Sequence, residues 1–262
     1  MARAKRHYLP GHIWHITHRC HKKEFLLKFS KDRNRWLQWL YQAKKRYGLS
    51  ILNYMVTSNH IHLLVADVGH RDVIPRSMQL IAGRTGQEFN QRKNRNGAFW
   101  EDRYHATAIE DRDHFFRCCA YIDLNMVRAG VVGHPSQWPH SGYNEIQAPR
   151  RKNVLIDYEK FMELLGTDNY EHARQDHQGW AAEFLRNGPV RDDKWTSSIA
   201  VGSKEFVEKV KTRLGILAKG RKATESDGDY QLREPMNSYM VDFGVQKGDI
   251  GPENTYFWEI ND

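Results

Sequence analysis

The absences in this sequence narrow it first. Only three cysteines occur in 262 residues: Cys20, Cys118 and Cys119. Their number is odd and none are spaced as a CxxC pair, so neither a disulfide framework nor a zinc ribbon is encoded. They read as small buried residues. No apolar run is long enough to span a bilayer, and the opening MARAKRHYLPGH lacks the apolar core of a secretory signal. The expectation is a cytoplasmic protein with no membrane partner. There are no internal repeats, which argues against a solenoid.

What is present is a core-forming, basic chain. A 40% hydrophobic content suffices for a core, and the length allows one domain with extensions or two small ones. The formal charge of +8 is unevenly spread. Residues 1–150 carry 24 Lys and Arg against 12 Asp and Glu, residues 151–215 carry 11 of each, and residues 216–262 carry 5 against 9. A basic first half with an acidic end fits a polyanion-binding unit whose tail competes for the same surface.

The first half has a readable element order. HIWHITHRC, after Pro10-Gly11, is a strand by its β-branched and aromatic content. Trp36, Leu40, Ala43 and Tyr47 recur at helical spacing, with Gly48 as the stop. LSILNYMVT and HIHLLVADV are two strands around a Ser58-Asn59 turn, which predicts an antiparallel hairpin. Met78, Ile81, Thr85 and Phe89 mark a second helix, and AFWEDRYHATAIE a fourth strand. A third helix runs from Asp111 or Asp113 to Gly130, with Phe115, Cys119, Ile122 and Met126 as its apolar stripe. The order β-α-β-β-α-β is that of the ferredoxin-like split βαβ, an α+β fold with an antiparallel sheet, here with one helix added.

Two features carry chemistry. His60 and His62 are two apart in a strand and share a face, while Ile61 and Leu63 face the opposite side. One strand histidine is usually structural, but a matched pair suits a divalent metal, short of the four ligands of a closed structural site. On the third helix Tyr121 and Asn125 lie one turn apart on a stripe shared with Arg128. Each alone reads as packing or local hydrogen bonding. No partner is apparent for His12, His15 and His18, which read as structural.

Taken together, RHYLPGHIWHITHR, NHIHLLV, SMQLIAGRTGQEFNQRKNRNGAFWEDRYHATAI, AYIDLNMVRAG and WPHSGY resemble the single-tyrosine HUH transposase family, in its REP-associated tyrosine transposase branch. The resemblance covers roughly residues 5–145. It implies a metal-dependent strand transferase or endonuclease that acts on single-stranded DNA near hairpins through a covalent phosphotyrosine. By position, His60 and His62 match the HUH metal ligands, Tyr121 the nucleophile and Asn125 the third ligand. Met126 stands where the branch commonly has proline. The implied ion is Mg²⁺ or Mn²⁺, imidazole nitrogen favouring Mn²⁺. The family further implies a nucleoid-associated protein that is a monomer or a homodimer with exchanged tyrosine helices.

For DNA contact the sequence offers a basic arm, Arg3, Lys5 and Arg6, a basic turn, Arg92, Lys93 and Arg95, ahead of Trp100, Arg103 and Tyr104, and Arg128 on the third helix. Arginine and lysine hold phosphates and aromatic rings stack unpaired bases. APRRKN divides a catalytic domain, residues 1–148, from a helical extension over 149–215, and residues 216–262 read as an acidic tail lacking periodicity. Two other classes fit the same residues: a hairpin-binding protein that no longer cuts, and a phosphodiesterase using water in which Tyr121 only packs.

Overall fold

The computed structural model describes residues 9–188, 191–226 and 228–233. The arm residues Arg3, Lys5 and Arg6 and the last 29 residues of the acidic tail lie outside it. In chain order the elements are β1 (Ile13–Arg19), α1 (Ser30–Tyr47), β2 (Ser50–Val56), β3 (His60–Ala66), α2 (Val73–Arg92), β4 (His105–Ile109), α3 (Asp113–Asp123) and α4 (Asn125–Arg128). They continue with α5 (Gly142–Gln147), α6 (Tyr158–Leu165), α7 (Tyr170–Arg186), α8 (Lys194–Ser197), β5 (Ser198–Gly202), α9 (Lys204–Leu214), β6 (Ala223–Ser226) and β7 (Asp229–Arg233).

Local chemistry sets the first elements as the sequence indicates. Gly48 ends α1 in the left-handed region, at φ 70°, where its N–H reaches the Lys44 carbonyl at 2.9 Å. The β2–β3 hairpin closes over Ser58-Asn59, the Thr57 N–H donating to the His60 carbonyl at 3.0 Å. The sheet runs β2-β3-β1-β4-β5-β7-β6. Its first four strands are all antiparallel and follow the ferredoxin-like order.

Every residue of β1, β2 and β3 is buried, so both faces of the sheet are covered. Alternation gives those faces different content. Ile16, Ile61, Leu63 and Val65 share one face with His18, whose ring stacks on Trp100 at 4.1 Å. The Trp100 indole donates to the Ala82 carbonyl of α2, placing the packed α1–α2 pair on that side. On the other face lie His15, Thr17, Arg19, His60 and His62, with His105 and Thr107 of β4. Polar side chains here become a site because α3 and α8 cover them.

The structure corrects four readings. The third helix is not continuous to Gly130: α3 ends at Asp123 and one further turn, α4, begins at Asn125. At the break the Tyr121 carbonyl, the acceptor a continuous helix would offer to Asn125, instead takes a hydrogen bond from Arg128 Nη2 at 2.6 Å. The fourth strand is only His105–Ile109, residues ahead of it making a single bridge between Trp100 and Cys20. The extension is not purely helical, because β5 runs parallel to β4 and the β6–β7 hairpin adds to it. The acidic tail, read as lacking periodicity, supplies both strands of that hairpin, Ala223–Ser226 and Asp229–Arg233, and these complete the sheet edge.

The extension is fastened to the first half by buried polar groups. Glu145 accepts from the backbone N–H of Leu155 at 2.6 Å and Ile156 at 3.0 Å, and from the Tyr54 hydroxyl at 2.9 Å. The expected boundary at residues 148–153 is thus a short exposed crossing followed by chain pinned to β2. Helix α7 packs on α3, with Trp180 stacked on Phe116 at 4.2 Å. Asp123 accepts from His177 Nε2 at 2.8 Å and Asn53 Nδ2 at 3.0 Å. Among the described residues no helix is long and apolar enough to cross a membrane.

Candidate active site

Register assembles the site. Thr17 faces His62 and Arg19 faces His60 across the β1–β3 ladder, while His15 faces Leu64 on β3 and Thr107 on β4. The hairpin turn orients His60 directly: Nδ1 lies 2.7 Å from Asn59 Oδ1 and 3.0 Å from Thr57 Oγ1. The His60 and His62 rings sit 5.0 Å apart at 79° to each other, two imidazoles converging from one strand face.

The break after α3 sets Asn125 against this pair, with its Nδ2 3.0 Å from His62 Nε2. Tyr121, on the last turn of α3, places its ring 5.9 Å from that of His62 and 6.1 Å from that of His15. The Arg128 guanidinium covers the Tyr121 ring at 4.1 Å while bonded to the Tyr121 carbonyl. His60, His62, Tyr121, Asn125 and Arg128, separated by up to 68 positions, therefore converge.

Sequence reasoning missed His15 and Trp195. His15 Nε2 lies 2.9 Å from His62 Nδ1, and the rings are within 10° of parallel with centroids 5.1 Å apart. Nitrogens this close in parallel rings require an edge-to-edge bond in the ring plane, because stacked rings keep their planes ~3.5 Å apart. His15 Nδ1 lies 2.8 Å from the Trp195 carbonyl, and Thr107 Oγ1 lies 3.2 Å from the same oxygen. The Trp195 ring lies 6.3 Å from that of Tyr121. His15 shares its strand face with Thr17 and Arg19, a signal in the sequence. That it meets His62 depends on strand register, which the sequence leaves open.

Electrostatics make the imidazoles neutral lone-pair donors. Burial lowers His60 to about 3, assisted by the Arg19, Arg191 and Arg128 charges. His15 is likewise lowered to about 3 by burial, against the Trp195 carbonyl, which favours its protonated form. Burial holds His62 well below the usual imidazole range, and neighbouring His60 and His15 add to this. Burial also raises the Tyr121 phenol, while the Arg128 and Arg191 charges pull it back down.

The other expected DNA contacts are spread outside this site. Arg92 is ion-paired with Asp32, Lys93 lies 5.7 Å over the Phe29 ring, and Arg95 donates to Asn90 Oδ1 at 3.2 Å and the Ala98 carbonyl at 3.0 Å. Arg103 is exposed, and Tyr104 is buried edge-on to His18. Among the described residues no group of three or more His, Cys, Asp or Glu side chains is arranged to hold a metal. A metal here would draw on the imidazole pair and the Asn125 amide oxygen, a donor set suited to a six-coordinate Mn²⁺ or Mg²⁺ completed by substrate oxygens and water.

Comparison with known proteins bears on residues 9–125, which match the family model described as Transposase IS200 like. Two solved structures are similar. One is a REP-associated tyrosine transposase bound to a REP hairpin, at 21% identity and TM-score 0.48, the match covering 57% of this chain and 87% of that one. The other, from Deinococcus radiodurans R1 and described as a transposase, is 15% identical with TM-score 0.33, over 45% of this chain and 92% of that one. No curated protein matches the chain. The family match takes in His60, His62, Tyr121 and Asn125 and stops short of Arg128 and Trp195.

Proposed function

We propose that this chain, whose residues 9–125 match the model of IS200-like transposases, cuts and rejoins single-stranded DNA beside hairpins of the REP type, with Tyr121 as nucleophile. The observation that carries this reading is the convergence of Tyr121 and Asn125 on His62, at 5.9 Å between rings and 3.0 Å from Nδ2 to Nε2. Buried neutral imidazoles beside an enclosed phenol have no need of each other for packing. They share a purpose if one phosphodiester lies between them.

His60 and His62 would hold Mn²⁺ or Mg²⁺ together with the Asn125 amide oxygen, once that amide turns from its present contact of Nδ2 with His62 Nε2. Bound there, the ion would supply positive charge to polarise and orient the scissile phosphate. The Tyr121 phenolic oxygen attacks phosphorus; the bond to the 3′ oxygen breaks, and the phenolic proton is passed on as that oxygen becomes a 3′ hydroxyl. The DNA is left joined to Tyr121 through its 5′ phosphate. Arg128 lies where it offsets the charge that develops on the phenol oxygen, opposing the burial that keeps it protonated. Arg19 and Arg191, whose charges reach His60, offer the phosphate further positive potential.

The phosphotyrosine keeps the energy of the broken linkage. A 3′ hydroxyl from another strand attacks it, releases Tyr121 and restores a phosphodiester, without ATP. Incubation with a labelled single-stranded hairpin oligonucleotide and Mn²⁺ tests the reading. Cleavage by the wild type and none by Tyr121→Phe is expected. Equal cleavage by both would point to activated water in place of the phenol.

A further inference from the structure

We propose that His15 is a positioning residue that sets the tautomer and ring angle of His62, and that the C-terminal extension anchors it through the Trp195 carbonyl. This rests on the reading of His62 as a metal ligand. The direction of every proton in the chain follows from its fixed end. A carbonyl oxygen only accepts, so at 2.8 Å the His15 Nδ1 is the donor and its Nε2 carries a lone pair. At 2.9 Å that lone pair requires His62 to donate from Nδ1. His62 Nε2 is then left with the lone pair, and it faces Asn125 at 3.0 Å.

This is the arrangement a metal-binding imidazole needs. A ligating histidine presents one nitrogen to the ion and donates the other N–H to an acceptor, which fixes ring and tautomer together. Here the acceptor is a second histidine, held in turn by backbone. The rings are nearly parallel, at 10°, and the 2.9 Å bond between them opposes rotation of the His62 ring away from that angle. Thr107 Oγ1, donating to the Ser198 carbonyl at 2.6 Å and lying 3.2 Å from the Trp195 carbonyl, holds the anchor segment against β4. Trp195 and Ser198 lie about 70 residues beyond the family match. The segment after residue 125 therefore contributes to the site through backbone, where side-chain motifs leave no trace.

Histidine-selective ¹⁵N NMR of the metal-free full chain reads the tautomers directly. The expected result is protonation of both His15 and His62 on Nδ1. His62 protonated on Nε2 would overturn the proposal, with no variant required. Mn²⁺ titration gives the second arm. His15→Phe keeps the ring but removes the acceptor, and should weaken Mn²⁺ binding by about 10- to 100-fold. His15→Gln restores an acceptor oxygen at similar reach and should stay within about threefold of wild type. Equal Mn²⁺ affinity of His15→Phe and wild type, or equal weakness of both variants, would contradict it. If His60→Ala binds Mn²⁺ as the wild type does, the metal reading of the site fails, whereas the NMR pattern still decides the His15–His62 bond.

Discussion

Replacing Asp123 probes how the extension and the tyrosine helix depend on each other. This carboxylate, two residues past Tyr121 and fully buried, receives two donors, Asn53 Nδ2 at 3.0 Å and His177 Nε2 at 2.8 Å. His177 is bound to that role, because Gln147 Nε2 donates to its Nδ1 at 2.9 Å. The two donors reach different oxygens, Asn53 at Oδ1 and His177 at Oδ2, so an acceptor is needed at both positions, which a carboxylate provides. Asp123→Ala orphans both donors at about 1–3 kcal/mol each and opens a small void, for a total of about 3–5 kcal/mol. Asp123→Asn keeps one oxygen and turns an N–H₂ toward the other donor, costing about 1–3 kcal/mol. Urea unfolding followed by circular dichroism measures both. A loss below about 1 kcal/mol for Asp123→Ala, or an Asn variant as stable as wild type, would refute the reasoning.

Three further outcomes follow from the same structure. Burial, with the Arg33 and Arg150 charges, lowers His140 from 6.5 to about 3, so the unfolded chain takes up this proton first as pH falls. Its contribution is complete well above pH 6.5 and declines toward pH 3; the wild type should lose about 1.2 kcal/mol more than His140→Gln between pH 7 and 5.5, measured by urea unfolding at each pH. Burial opposes ionisation of Asp229, but hydrogen bonds from His114 and Lys194 and the Arg117 charge outweigh it and hold the carboxyl below its usual range. Asp229→Ala should therefore speed hydrogen exchange across β6 and β7 at pH 7, and the wild-type hairpin should loosen only as pH falls below about 4. Arg128→Lys keeps the charge but loses the fork that covers the Tyr121 ring and holds its carbonyl; cleavage should slow by up to about 100-fold, with hairpin DNA affinity changed far less.

Legibility in the sequence followed the range of the forces involved. The hairpin at Ser58-Asn59, the stop at Gly48 and the buried stripe Phe115, Cys119, Ile122 and Met126 depend on neighbours within a turn or two, and all are present in the structure. Strand alternation likewise put His60 and His62 on one face. The break between Asp123 and Asn125 was not legible, since it turns on the Arg128 guanidinium taking a carbonyl seven residues earlier. Nor was β5 legible, a five-residue strand whose burial on a completed sheet outweighs its weak pattern. The polar hairpin β6–β7 reads as loop until the Asp229 ion pairs and an open sheet edge are in place. His15 was read as structural because its partners are 47 and 180 residues away.

Mass spectrometry of the protein after exposure to hairpin-bearing single-stranded DNA and Mn²⁺ addresses the central claim most directly. Digestion with trypsin and nuclease releases the peptide Cys118–Arg128, which contains one tyrosine. The account predicts that this peptide carries a 5′-linked nucleotide on Tyr121, lost in Tyr121→Phe. Cut DNA with an unmodified Tyr121 peptide at every time point would contradict it.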